Sequence, residues 1–141
     1  MNGWFSGAST VKARSLLSPQ GIVIIKTPNT DSLDARLFRH RNWGGYHCPR
    51  HWVLFNRENF AAIVEEAGLK IRYFKYTQGA HFWTTSILFA LGRNKWIHVS
   101  SERPVPSHPL YSLLNLGFAC IDLLRGKIAK TSQMLIILER A

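Results

Sequence analysis

Residues 21–27, GIVIIKT, set Ile22, Val23, Ile24 and Ile25 in an unbroken run between Pro19-Gln20-Gly21 and Pro28-Asn29. β-Branched side chains favour extended backbone. The lack of alternation predicts a strand buried on both faces, as in a parallel sheet covered by helices. Two later segments predict further strands: LKIRYFKYT (69–77), which alternates and so has one more polar face, and the strongly apolar SQMLIILER (132–140). Helices are expected between them. ASTVKARSLLS (8–18) leads into the first strand, and residues 32–39 allow a helical turn. The stretch 57–67 has Phe60, Ile63, Val64 and Ala67 at helical spacing, with Asn56 as N-cap and Gly68 at C′.

Residues 78–131 separate the last two strands by far more than a hairpin loop requires. They read as a helical insertion: one helix near 82–92, a Pro-rich link SSERPVPSHP, and a second helix over 110–125. That second helix, LYSLLNLGFACIDLLR, is apolar nearly all round, so it is either buried between layers or rests on something greasy. The chain thus divides into an α/β part, 1–77 with 131–141, and an insertion or lid, 78–130.

The 141 residues fit one ordinary domain, and 46% hydrophobic residues can cover one core. A formal charge of +10, from 18 Lys+Arg against 8 Asp+Glu, favours an anionic partner without choosing among a phosphorylated ligand, nucleic acid and a membrane surface. Two cysteines, Cys48 and Cys120, are too few for a disulfide scaffold and suit a reducing cytoplasm. The opening MNGWFSGASTV does not read as a signal peptide, and no run reaches the ~18 apolar residues of a spanning helix.

The helix ending LLSPQG, the strand GIVIIKTPN, the PRHWVLF segment, the helix ending EEAGL and a final antiparallel strand together resemble the C-terminal half of class I S-adenosylmethionine-dependent methyltransferases. The subgroup is that of ubiquinone-biosynthesis-type and other small-molecule enzymes, and the likeness covers roughly residues 8–77 and 131–141. It implies a Rossmann-like sheet in which GIVIIKT is the fifth of seven strands and the last two strands form an antiparallel pair at the edge. It implies S-adenosylmethionine as methyl donor and a small-molecule or lipid-like acceptor. The family holds its cofactor with a Gly-rich strand-to-helix turn and an acidic residue ending the second strand; residues 1–20 contain no G-x-G and no acidic residue. No cofactor-binding residue is therefore assigned. The expectation is an acceptor-side fragment, inactive alone: a truncated gene model, a fragment or a degenerate copy. Its first strand would be an exposed edge, predicting self-association or pairing with a complementary half. The alternative is a non-catalytic basic module that binds a membrane surface, nucleic acid or a partner methyltransferase.

Methyl transfer is an in-line displacement, so the protein mainly aligns the reactants and supplies a base when the acceptor is a hydroxyl. Ligands in open α/β sheets lie beyond the strands' carboxyl ends, which places Asn29 at the rim as an acceptor contact or as the turn leaving the strand. The loop GGYHCPRHW (44–52) admits three readings. His47, Cys48 and His51 are metal-ligand types, but a structural zinc takes four ligands and Pro49 opposes a helical pairing of the histidines. As a substrate loop, His47 or His51 acts as base, with Arg50 and Tyr46 as acceptor contacts. As plain structure, the glycines turn the chain while Tyr46 and Trp52 cover the core. No metal is assigned. Arg36, Arg39, Arg41, Arg50 and Arg57 interleave with aromatics, yet no nucleic-acid motif accompanies them, and a basic pocket rim fits better. His81 and Trp83, at the exit of the second strand, are the lid-side substrate contacts. The insertion itself is a lid over an apolar acceptor, a peripheral membrane contact near Lys127 and Lys130, or a helical subdomain packed on the sheet.

Overall fold

The computed structural model describes residues 4–40, 42–46, 53–94, 96 and 104–141. The elements run α1 (Trp4–Leu16), β1 (Val23–Pro28), α2 (Leu33–Phe38), α3 (Arg57–Glu66), β2 (Leu69–Thr77), α4 (Ala80–Arg93), α5 (Leu110–Arg125) and β3 (Gln133–Arg140). Short 3₁₀ turns occupy Gly44–Tyr46 and Val105–Ser107.

The sheet has the order β1-β3-β2, with β3 antiparallel to both neighbours. β1 and β2 therefore point the same way, and their carboxyl ends, Pro28 and Thr77, both face Gln133 at the start of β3. Beside β2, a register shift between Ile71 and Tyr73 leaves Arg72 as the extra residue of a bulge. Fully buried Met134, Ile136 and Leu138 alternate along β3 and meet Phe60, Val64 and Ala67 of α3 and its C-terminus, with Leu69 completing the core. Val23 and Ile25 of β1 pack against this cluster from the side.

α3 starts where its sequence says. The Asn56 side chain accepts the Asn59 N–H at 2.8 Å while the Asn59 side chain accepts the Asn56 N–H at 2.9 Å, a reciprocal cap. Gly68, with φ 67°, carries the left-handed turn that ends the helix and enters β2.

Two expectations are corrected. β1 is not buried on both faces: Ile24 is 62% exposed, and among the described residues β1 pairs only with antiparallel β3. Cross-strand partners share a face, so Ile24, Ile137 and Tyr73 form a row on the side of the sheet opposite α3, where Ile24 and Tyr73 are exposed. The other concerns α5: of its two readings, burial between layers does not hold, since Asp122 is its one buried residue among those described.

Candidate functional site

Six of the buried polar side chains gather beyond the carboxyl ends of β1 and β2: Asn29, Ser32, Asp34, Thr131 and Ser132, together with Asp122 from α5. Chain geometry puts them there, because the strands end at this side and the helices α2, α4 and α5 start or finish against it. Each polar group buried in such a layer needs a partner.

Asn29 is the first. Its backbone N–H donates to Ser132 O at 2.9 Å, its amide Nδ2 donates to Thr131 O at 2.9 Å, and its Oδ1 accepts the Asp31 N–H at 3.0 Å. Its carbonyl accepts the Ser32 hydroxyl at 2.8 Å, and Ser32 in turn caps α2 by accepting the Ala35 N–H. Asp34, on the first turn of α2, takes two donors, the Ser132 hydroxyl at 2.7 Å and the Trp43 indole N–H at 2.8 Å. Trp43 leads into the Gly44 turn. There the Gly44 N–H donates to Ser86 Oγ at 2.8 Å, and a Cβ on Gly44 would stand 2.8 Å from Phe82 O, so only glycine lets this turn lie on α4. One connected network thus ties α2, β3, the turn and α4 together.

Asp122 anchors the other side. Its Oδ2 accepts the Gly79 N–H at 2.9 Å, while its Oδ1 makes no hydrogen bond and has Arg125 at 3.7 Å. Burial pushes the Asp122 carboxyl above the usual carboxylate range; the Gly79 N–H and the Arg125 guanidinium draw it back, and Asp34 adds to the rise. The Trp83 indole N–H also lowers it electrostatically, without meeting the geometry of a hydrogen bond. The Trp83 ring stacks on Phe118 at 5.0 Å and 5°, meets Phe38 edge-on at 6.3 Å, and lies 5.9 Å from the Arg125 guanidinium.

The structure separates the expected site residues. Asn29 is fully buried, with its side chain bonded to Thr131 O and the Asp31 N–H in the turn after β1. Tyr46 is part-exposed; its ring packs edge-on to Trp43 at 5.2 Å and its hydroxyl donates to Arg39 O. His81 and Trp83 point apart, as residues two apart on a helix must: His81 is exposed and Trp83 is buried between α4 and α5. His47, Arg50 and His51, with Cys48, lie outside the described residues. Among the described residues, no three His, Cys, Asp or Glu side chains are grouped as a metal would require.

Asp34, Ser132 and Asp122 were not singled out from the sequence. A signal for Asp122 was available, because between Glu66 and Glu139 the only acidic residues are Glu102 and Asp122. A lone aspartate within a leucine-rich helix is costly unless it serves the fold or a ligand.

The turn after β1 is Pro28-Asn29 followed by a Ser-capped short helix, not a glycine-rich loop. The two buried carboxylates, Asp34 and Asp122, accept from Ser132, Trp43 and Gly79. Among the described residues no helix is long and apolar enough to cross a membrane. Neither a comparison with protein-family models nor a search of curated proteins finds a match to the chain.

Proposed function

We propose that the chain supplies the acceptor side of a class I methyltransferase-like enzyme acting on a small-molecule or lipid-like acceptor, with S-adenosylmethionine held by strands outside the described sheet. The observation that carries this reading is the sheet. β2 and the last strand, β3, form an antiparallel pair with β2 at the outer edge, the arrangement the sequence resemblance implies. The uncovered Ile24–Ile137–Tyr73 face and the outer edge of β1 support it too, since both are surfaces on which further strands and helices of such an enzyme would pack.

On this reading the network around Asn29, Asp34 and Asp122 is scaffolding. It fixes α4 and the Gly44 turn across the strand ends. The sequence that follows the Gly44 turn carries His47, His51 and Arg50, the groups suited to taking a hydroxyl proton and holding an anionic acceptor. The chain alone transfers no methyl group.

The test joins the chain at residue 1 to a folded cofactor half bearing a glycine-rich turn. Binding of S-adenosylmethionine is measured by calorimetry, and transfer of a tritiated methyl group is followed to phenolic and lipid-extract acceptors. The chain alone should bind no cofactor, whereas the fusion should bind it and label an acceptor in a way that Ala at His47 or His51 reduces. Tight binding by the chain alone, or a fusion that binds cofactor and labels nothing, overturns the proposal.

A further inference from the structure

α5 turns a leucine-rich stripe away from the rest of the protein. The face turned to the protein carries Tyr111, Leu114, Asn115, Phe118, Ala119 and Asp122, with Asp122 tied to Gly79 and Phe118 stacked on Trp83. The opposite face carries Leu113, Leu116, Cys120, Leu123 and Leu124, spaced at i, i+3, i+7, i+10 and i+11 as one stripe. These leucines are 62–75% exposed, and Ile128, just past the helix, is 88% exposed. The inward face is fixed by specific bonds, so the leucines cannot turn in without breaking them.

Charge identifies what covers the stripe. Among the described residues from Gly79 to Lys130 the only acidic side chain is Asp122, and it is buried on the inward face. Gly79 meets Asp122 and Trp83 meets Phe118, so α4 and α5 run antiparallel. Lys127 therefore lies at one end of the stripe, and Arg93 and the 77%-exposed Trp96 lie toward the other. A leucine stripe followed by exposed Lys127, on a chain of net charge +10 whose described insertion has no exposed acidic side chain, matches an anionic bilayer surface. A second copy fits less well: it brings the same positive charge, and a stable protein interface uses about 20–30 residues a side, against a handful of large apolar ones here.

We infer that α5 lies in the plane of an anionic membrane surface with Leu113, Leu116, Leu123 and Leu124 entering the acyl boundary. This does not depend on methyl transfer. In the test, the full chain is mixed with vesicles of phosphatidylcholine alone, or of phosphatidylcholine and phosphatidylglycerol in equal parts, and bound protein is measured by flotation. Binding to the anionic vesicles should exceed binding to the neutral ones and should fall about tenfold or more in the Leu116→Glu/Leu123→Glu double variant. Both positions are exposed, so circular dichroism should show the variant folded. A second arm uses Cys48→Ser protein with an environment-sensitive dye on Cys120, whose emission should shift to the blue on anionic vesicles only. The inference is overturned by absence of binding to anionic vesicles, or by binding that salt removes and the leucine variants leave intact. It is also overturned if light scattering shows a dimer that the double variant dissolves, with no vesicle binding.

Discussion

The Asp122 carboxylate accepts the backbone N–H of Gly79 at 2.9 Å, a bond that spans 43 residues and ties the end of α5 to the start of α4. It closes the helical insertion onto the exit of β2, and it sets which face of α5 is turned inward. Its pH behaviour follows from burial, which raises the carboxyl above its usual value. Between the unfolded value, about 3.9, and the raised folded value, the folded chain holds a proton that the unfolded chain has lost. The unfolded state then binds fewer protons, so stability falls as pH rises through this window. Asp122's contribution is fully present below the unfolded value and is lost as pH passes the folded one. Asp122→Asn, which keeps a carbonyl acceptor for Gly79, should flatten that slope in urea titrations run at a series of pH values. Asp122→Ala should cost about 1–3 kcal/mol below that window, by stranding the Gly79 N–H, and less above it.

Asp34 should matter more for stability than any other carboxylate at the strand ends. It is fully buried and takes the Ser132 hydroxyl and the Trp43 N–H together. Asp34→Ala leaves both donors without an acceptor, at a cost of about 2–4 kcal/mol, and should change Trp43 fluorescence. Asp34→Asn keeps one acceptor and should lose roughly half as much. Equal stability of the wild type and the alanine variant in urea would contradict the network.

Two glycines should respond to alanine in opposite directions. A Cβ on Gly79 would stand 2.4 Å from Ser132 Cβ and 3.2 Å from its carbonyl carbon, so Gly79→Ala must push the start of α4 off the sheet, at about 1–3 kcal/mol. Gly117 lies within α5 with nothing within 4 Å of a Cβ. Gly117→Ala should therefore stabilise the chain by about 0.5–1 kcal/mol through helix propensity. Thermal melts of the two variants check both signs at once.

Local signals made much of this fold readable. Asn56 and Gly68 bound α3 because a cap and a left-handed turn have their own side-chain chemistry, and the strands at 69–77 and 132–140 announce themselves by β-branched and aromatic residues. Burial was less readable, since hydrophobicity says that a face prefers cover and not that cover exists. Ile24 and the α5 leucines are apolar enough for a core, yet the one is left on an open sheet face and the others are turned out by the bonds of Asp122 and Trp83. The strand-end network escaped the sequence reading for a related reason: Asp34 and Ser132 sit 98 residues apart and meet only because β3 inserts beside β1.

The outer edge of β1 supplies the last prediction. Beyond the short bridge between Asn29 and Phe55, no strand among the described residues pairs with that edge, and Ile22 and Ile24 beside it are exposed. Unpaired backbone next to apolar side chains is a template for another strand, so the chain should self-associate with rising concentration in light scattering. Ile24→Lys places a charge on the open face while Ile25, on the core side, stays in place. It should shift the chain toward monomer and change stability by no more than about 0.5 kcal/mol. The same variant should leave vesicle binding unchanged, because α5 carries that surface and β1 does not. A monomer at all concentrations, with or without the lysine, would show that this edge is closed in solution, and the strands that the methyltransferase reading places there would lose their seat.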